Sequence, residues 1–151
     1  MLNRLVYFSE RLCGDDEIAA LASTSAPRNK VRNVTGLLMA DESCFIQILE
    51  GPRAAVSSLF QEISRDPRHR DLVLVEMSEI AALSYPSWGM AHVSDPARTE
   101  EVWKRVMRQR SSPWPMSALQ LRGLLKIALG YAAPKPANVN APTAALAGLA
   151  R

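Results

Sequence analysis

Cysteine and histidine are scarce in this 151-residue chain, which has two of each. Cys13 and Cys44 form no Cys-x-x-Cys pair, so free thiols are expected rather than a disulfide or a zinc site. His69 and His92 stand singly, without the spacing that metal ligands require. The sequence therefore predicts no bound metal.

Long apolar runs are also missing. None approaches the roughly 20 residues that span a bilayer, and no basic-then-apolar leader opens the sequence. We therefore expect a cytoplasmic protein without membrane association. The net charge is only +3, and the basic residues near the C-terminus are not interleaved with aromatic ones, so nucleic acid is not an expected partner.

Alternating strand and helix patterns fill the first two thirds of the chain. Strand patterns occur at 3–8, 34–40, 44–50, 72–80 and 87–93, and helical patterns at 14–24 and 52–63, with Pro52 as the first helical residue. The polar segment 25–33 is expected to be a loop. Right-handed crossovers place both helices on one face of a mainly antiparallel sheet. The predicted fold class is α+β, a ferredoxin-like βαββαββ domain.

The C-terminal third has a different composition. Two further amphipathic helices are expected within 96–131, separated by the sequence SSPWP. The Ala/Pro-rich segment 132–151 is expected to be disordered. The predicted organisation is thus a domain at 1–95, a helical extension at 96–131 and a tail at 132–151.

A glutamine lies inside the apolar strand CFIQILEGP at 44–52. Strand alternation puts Gln47 and Tyr7 on the same side if helices cover that face of the sheet. A buried amide is costly without hydrogen bonds, and an ordinary core pair between Tyr7 and Gln47 is the simpler interpretation. With Asn29 nearby, however, the same groups would form the polar edge of an apolar cleft suited to a planar ligand such as a flavin ring.

Five motifs follow one another along the chain: RLVYFS at 4–9, SAPRNKVRNVTGLL at 25–38, FIQILEGP at 45–52, ISRDPRH at 63–69 and WGM at 88–90. Together they resemble the BLUF domains, which are bacterial and algal sensors of blue light that use FAD. The resemblance covers residues 2 to about 94. It implies the same ferredoxin-like fold, with FAD held non-covalently between the two helices of the domain at 1–95.

The resemblance implies a role for each matching position. Tyr7 corresponds to the tyrosine that passes an electron and a proton toward the flavin, and Gln47 to the glutamine that bridges them. Trp88 and Met90, in the last strand, correspond to residues tied to signal output and complete the photoactive set. The other implied flavin contacts, including a motif near the end of the second helix, are Ser25, Arg28, Asn29, Asp66, Arg68 and His69.

Four positions depart from the family's usual residues. Arg28 stands where many members have Asn or His, Asn33 replaces a Gly, and Gly89 replaces a common Ser. Glu62 lies where an arginine often contacts the ring, and a carboxylate cannot donate that hydrogen bond. Glu62 is therefore the main argument for an alternative function, a ferredoxin-like interaction module that has lost flavin.

The expected function is a blue-light photoreceptor, not an enzyme. Light would rearrange the hydrogen bonds of tyrosine, glutamine and flavin, and the signal would pass to a separate partner protein or a changed homo-oligomer, since no cyclase, phosphodiesterase or kinase sequence is fused. A third possibility is a hydrolase of the acylphosphatase type. That type needs a glycine-rich anion loop after the first strand, and YFSERLCGDD at 7–16 is acidic instead.

Overall fold

The computed structural model describes residues 1–40, 42–86, 89–93 and 117. Within them the elements are, in chain order, β1 (Leu2–Arg11), α1 (Asp15–Val31), β2 (Thr35–Ala40), β3 (Cys44–Pro52), α2 (Arg53–Ile63), β4 (His69–Ile80) and β5 (Ala91–Val93). The predicted βαββαββ order is confirmed. Trp88, the two expected C-terminal helices and the expected tail lie outside the described residues. No described helix has both the length and the apolar character needed to cross a bilayer.

The five strands form one sheet in the order β4-β1-β3-β2-β5. All neighbours are antiparallel except β2 and β5, which are parallel. The central strands β1 and β3 pair in a register that sets Tyr7 directly opposite Gln47 and Leu5 opposite Leu49. Because side chains directly opposite each other share a face, Tyr7 and Gln47 point to the same side of the sheet.

Both helices cover that side of the sheet, as predicted. Under α2 the core cluster is Leu5, Tyr7, Val34, Leu49 and Val56. Under α1 a second cluster consists of Ile18, Leu38 and Phe45. Side chains of the alternate strand positions, on the other side of the sheet, are buried as well: Val6, Phe8, Leu37, Met39, Ile46 and Ile48. The two clusters leave Gln47 between the helices.

The first helix is longer than the sequence pattern indicates. Segment 25–33 was expected to be a loop, but α1 continues to Val31 and contains Pro27. A proline inside a helix removes one backbone hydrogen bond and costs about 3 kcal/mol. Tertiary contacts oppose that cost, because the buried Asn29 donates from Nδ2 to the carbonyl of Gly89 at 2.9 Å. The expectation was wrong because this contact is long-range and leaves no local signal.

The second helix begins and ends close to the predicted positions. Pro52 is its N-cap rather than its first helical residue. The apolar positions expected to face the sheet do so, since Val56 is in the core cluster and Leu59, Phe60 and Ile63 pack against it. The three residues placed by motif near the end of α2 lie beyond it: Asp66 and Arg68 are in the following turn, and His69 is the first residue of β4.

Candidate functional site

A small cleft, partly open to solvent, lies between α1 and α2. Its apolar lining comes from α1, α2 and β2, through Leu21, Ala22, Leu38, Leu59 and Ile63. Its remaining lining residues are Ser25, Asn29, Gln47, Asp66, His69 and Met90. Apolar walls with a few convergent polar groups are typical of sites for small, largely apolar ligands.

Gln47 connects the sheet to the cleft through two hydrogen bonds of unequal strength. The hydroxyl of Tyr7 donates to Oε1 of Gln47, and Nε2 of Gln47 donates to Sδ of Met90 at 3.3 Å. A thioether sulfur is a weak acceptor. The amide nitrogen of Gln47 is therefore poorly satisfied in comparison with the amide oxygen, and a stronger acceptor placed in the cleft would compete with Met90.

Tyr7 lies behind Gln47 and is completely buried, so it does not line the cleft. Its ring packs edge-on against Phe60, with 5.4 Å between ring centroids. Burial raises the pKa of the Tyr7 phenol, and the negative charge of Asp66 raises it further. Tyr7 is thus a neutral hydroxyl donor at physiological pH.

Asn29 is held in the last turn of α1 by the chain segment just before β5. It is 1 % exposed, and its Nδ2 bonds the carbonyl of Gly89. The backbone of Gly89 approaches α1 so closely that an added Cβ would lie 2.3 Å from the carbonyl oxygen of Ala26. A side chain at this position would push the segment away from α1. Met90 follows directly and precedes β5 rather than lying within it.

Asp66 and Arg68 form an ion pair at one end of the cleft. The guanidinium of Arg68 binds both carboxylate oxygens, with Nε 2.8 Å from Oδ1, and the backbone N–H of Arg68 donates to the same carboxylate. The side-chain hydrogen bond from Arg68 is the largest cause of the lowered pKa of Asp66. Asp66 lines the cleft, whereas Arg68 does not.

His69 is buried at the start of β4 and lines the cleft. Its Nδ1 lies 2.8 Å from Oγ of Ser9. The ring of Phe45 packs against it, with 4.6 Å between centroids. Burial lowers the pKa of His69 to about 4, so the imidazole is neutral at physiological pH.

The structure thus gathers most of the residues that the sequence indicated. Five of the predicted contacts line the cleft together with Met90: Ser25, Asn29, Gln47, Asp66 and His69. Arg28 is exposed on α1 and does not line it. Sequence reasoning missed Ala22 and Leu38 as lining residues. Leu38 lies opposite Gln47 in the β2–β3 register, so strand alternation alone could have found it.

Glu62 is engaged away from the cleft. Its carboxylate accepts a hydrogen bond from the guanidinium of Arg32 at 2.9 Å, which joins the C-terminal end of α1 to α2. Both side chains are at least one-third exposed, so the pair contributes at most about 1 kcal/mol. Glu62 therefore places no unpaired charge in the cleft.

The start of α1 does not resemble an anion site. Asp15, Asp16 and Glu17 fill its first turn, and the carboxylate of Glu17 accepts the backbone N–H of Gly14 at 3.0 Å. Negative side chains in the first turn occupy the place that an anion would take. This geometry argues against a hydrolase of the acylphosphatase type. No group of three potential metal ligands occurs among the described residues.

Fold and cleft together define a class: a ferredoxin-like α+β domain with a cleft between its two helices and a buried Tyr–Gln pair at its floor. Residues 2–91 match the family described as BLUF, sensors of blue-light using FAD. The chain belongs to this family.

Its relatives include much larger proteins. The chain is 34 % identical over 97 residues to photoactivated adenylate cyclase subunit beta of Euglena longa, which is 62 % of this chain and 11 % of that protein. It is 39 % identical over 77 residues to the blue light- and temperature-regulated antirepressor BluF of Escherichia coli K12, which is 48 % of this chain and 19 % of that protein. The chain therefore matches only about a tenth to a fifth of these relatives.

Solved structures agree over most of the chain. The dark-state structure of BlrB, a BLUF protein, has a TM-score of 0.69 and 30 % identity, covering 86 % of this chain and 96 % of BlrB. The ground state of BlsA has a TM-score of 0.74 at 23 % identity, covering 85 % and 88 % of the two chains. The second similarity concerns the fold alone.

Proposed function

We propose that this chain is a blue-light photoreceptor that binds FAD non-covalently between α1 and α2, with Gln47 as its switch and without catalytic turnover. The observation that carries the proposal is the position of Gln47, whose amide lies between the Tyr7 hydroxyl and the Met90 sulfur on the floor of the cleft.

The residues of the cleft suit an isoalloxazine ring. Leu21, Leu59 and Ile63 offer apolar surface to the faces of a planar ring. Polar side chains at the edge supply donors and acceptors for its carbonyl groups and ring nitrogens: Ser25, Asn29, Gln47 and His69. The negative charge of Asp66 is compensated by Arg68, so no isolated charge faces the ring.

When bound, oxidised flavin supplies absorption of blue light and an excited state that takes up an electron. Tyr7 would be the protein's source of that electron, because it is a buried neutral phenol adjacent to the cleft-lining Gln47. A phenol that loses an electron becomes strongly acidic. Its proton would then pass along the existing hydrogen bond to Oε1 of Gln47, and the amide would stay neutral by releasing a proton from Nε2.

Gln47 responds because its two ends differ in chemistry. An amide presents an acceptor at Oε1 and donors at Nε2, and rotation or tautomerisation exchanges what it offers to the cleft. The weak bond to Met90 Sδ opposes this exchange little. After the electron and proton return to Tyr7, the new hydrogen-bond pattern persists until it reverses in the dark.

The signal leaves the cleft through the segment before β5. Met90 bonds Gln47, and its neighbour Gly89 bonds Asn29 of α1. A change at Gln47 therefore alters the balance of contacts that hold this segment, which is how a local change biases a two-state element. We propose that the output reaches a separate partner protein, and that the receptor is a homo-oligomer.

The decisive experiment is an absorption spectrum of the purified full chain before and after blue illumination, with released flavin identified. We expect flavin bands with a small red shift that reverses in the dark. Gln47→Leu should retain flavin and lose the shift, because leucine fills similar space without an amide. Gln61→Leu, on the exposed side of α2, is the matched control and should behave as the unmodified chain. A normal photocycle in Gln47→Leu would refute the assignment.

One observation favours the second candidate, an interaction module without flavin. Polar groups around the cleft already pair with protein partners, namely Tyr7 with Gln47, Asn29 with Gly89 and Ser9 with His69. These three pairs by themselves do not require a ligand. A colourless protein that takes up no added FAD would support the interaction module and contradict the photoreceptor.

A further inference from the structure

A buried serine that the proposed switch does not use lies beside the cleft. Ser9 follows Tyr7 by two residues on β1 and therefore shares its face of the sheet. It is completely buried, and its Oγ lies 2.8 Å from Nδ1 of His69. Since His69 lines the cleft, Ser9 acts on the cleft through the imidazole.

The direction of this hydrogen bond follows from the number of partners. A serine hydroxyl has one proton to donate, and among the described residues His69 Nδ1 is the only partner of Ser9 Oγ. If Nδ1 carried the hydrogen, it would donate to Ser9 and leave the serine proton without an acceptor in a buried site, which is costly. Donation from Ser9 to Nδ1 satisfies both groups.

The hydrogen of the neutral ring must then be on Nε2. No described residue accepts a hydrogen bond from this nitrogen in the structure, although His69 lines the cleft. The nearby carboxylate of Asp66 is already bound by the guanidinium and the backbone N–H of Arg68. Phe45 covers one face of the imidazole and restricts its rotation.

We infer that Ser9 is a positioning residue, which holds His69 in the Nε2–H tautomer and so presents a fixed hydrogen-bond donor to the cleft. This inference deepens the proposed function and rests on it for the identity of the ligand: Nε2–H can donate to an acceptor placed in the cleft, such as a carbonyl oxygen or a ring nitrogen of a flavin. His69 thus selects ligands with an acceptor at that edge.

Ionisation of His69 is consistent with this arrangement. The charged groups that act on the ring are Asp66, which favours the imidazolium, and Arg68, which opposes it. Burial, together with Arg68, outweighs Asp66 and holds the pKa of His69 well below neutral pH. The neutral imidazole therefore carries one N–H hydrogen, and the hydrogen bond from Ser9 to Nδ1 places that hydrogen on Nε2.

The tautomer can be measured directly by nitrogen-15 NMR on the full chain in the dark at neutral pH. The chain has only two histidines, so a His92→Gln variant assigns the His69 signals. We expect an unprotonated Nδ1 and a protonated Nε2. A protonated Nδ1 would overturn the inference, whether or not the protein binds flavin.

Variants of Ser9 separate positioning from packing. Ser9→Ala removes the hydroxyl, and we expect a mixture of His69 tautomers and a FAD affinity about 2- to 10-fold lower, which is the effect of one hydrogen bond. Ser9→Thr keeps the hydroxyl and should restore the Nε2–H signal. Ser23→Ala is the matched control, because the exposed Ser23 bonds only within its own helix. An unchanged His69 tautomer in Ser9→Ala would contradict the positioning role.

The two proposals fail in distinguishable ways. A protein that binds no flavin but shows the expected tautomer loses the photoreceptor assignment and keeps the role of Ser9. A protein with a normal photocycle and Nδ1–H in His69 keeps the photoreceptor assignment and loses the role of Ser9. If Ser9→Ala fails to fold, the tautomer of His69 in the unmodified chain still tests the role of Ser9.

Discussion

Polar side chains inside the domain are arranged in pairs that each leave one group facing the cleft. Tyr7 satisfies the oxygen of Gln47, and Ser9 satisfies one nitrogen of His69. In both pairs the residue on β1 is fully buried, and the residue on the neighbouring strand reaches the cleft. Strand β1 therefore supplies the groups that hold the cleft residues in place.

Removing the Tyr7 hydroxyl should affect both stability and light response. Tyr7→Phe leaves Oε1 of Gln47 buried without its donor, which should cost about 1–3 kcal/mol in urea unfolding. The light-induced shift should vanish, because the proton and electron source is gone. Tyr85→Phe, at the half-buried Tyr85, should leave the shift intact. Persistence of the shift in Tyr7→Phe would show that another side chain donates the electron.

His69 should make folding stability depend on pH. Its pKa is about 4 in the folded chain and 6.5 in a free histidine, so the unfolded chain binds the proton more readily between those values. The contribution of His69 is complete above pH 6.5 and is lost as the pH falls to about 4, by up to about 3 kcal/mol. Urea unfolding of His69→Gln should show a flatter profile in this window.

A control is available for the pH profile. Burial also lowers the pKa of His92. The variant His92→Gln should therefore lose only the contribution of His92 to the pH dependence of the free energy of unfolding, and it should retain the larger contribution of His69. The pKa of Asp66 is lowered from 3.8, so the stability that the ionised Asp66 contributes is lost at a lower pH than the contribution of His69. Equal profiles for the unmodified chain and His69→Gln would contradict the buried neutral imidazole.

At the scale of elements, the segment before β5 is joined to both halves of the cleft. Gly89 touches α1 through Ala26 and Asn29, while Met90 contacts Gln47 of β3. β5 itself is short and pairs only with β2 among the described strands. Movement of this segment would therefore change the packing of α1 as well as the hydrogen bonds of Gln47.

Gly89→Ala tests that close approach. Its Cβ would lie 2.3 Å from the Ala26 carbonyl oxygen, so the segment must move away from α1 and stretch the bond from Asn29. We expect a loss of about 1–3 kcal/mol in the free energy of unfolding. Gly14→Ala is the control, since its Cβ meets only an ordinary contact at 3.9 Å and should cost less than about 1 kcal/mol. Equal stability of the two variants would contradict the close approach of the Gly89 backbone to α1.

For the whole molecule, flavin binding should be linked to folding. The cleft separates the two core clusters, so a ring filling it would pack against both helices. A ligand at 100 times its Kd stabilises the folded chain by about 2.7 kcal/mol. For a chain of this size the Tm of flavin-free protein should rise by about 5–10 °C on addition of FAD.

The comparison ligand for this measurement is FMN. Equal shifts would mean that the isoalloxazine and its first phosphate carry the binding, and a larger shift with FAD would assign a role to the adenylate. An unchanged Tm with either flavin would contradict the photoreceptor proposal at the scale of the molecule. Sedimentation of the full chain in darkness and under illumination tests the predicted homo-oligomer.

Much of the fold was predictable because local rules and tertiary structure agree. The strands β2 and β3 are short, nearly continuous apolar runs, and Val56, Leu59, Phe60 and Ile63 recur at helical spacing. Crossover handedness then placed both helices on one face. The sequence also indicated Gln47 and Tyr7 as partners, since a buried amide needs a donor or acceptor opposite it and the register supplies one.

What the sequence by itself determined is the order of elements, the covered face of the sheet and the chemistry available there. Only the tertiary structure decided that 25–31 is helical despite Pro27, that Asn29 bonds Gly89 and that Ser9 bonds His69. The physical reason is distance along the chain. Periodicity and capping act over a few residues, whereas Asn29–Gly89 and Ser9–His69 each join residues 60 apart, and such contacts exist only once the sheet has formed.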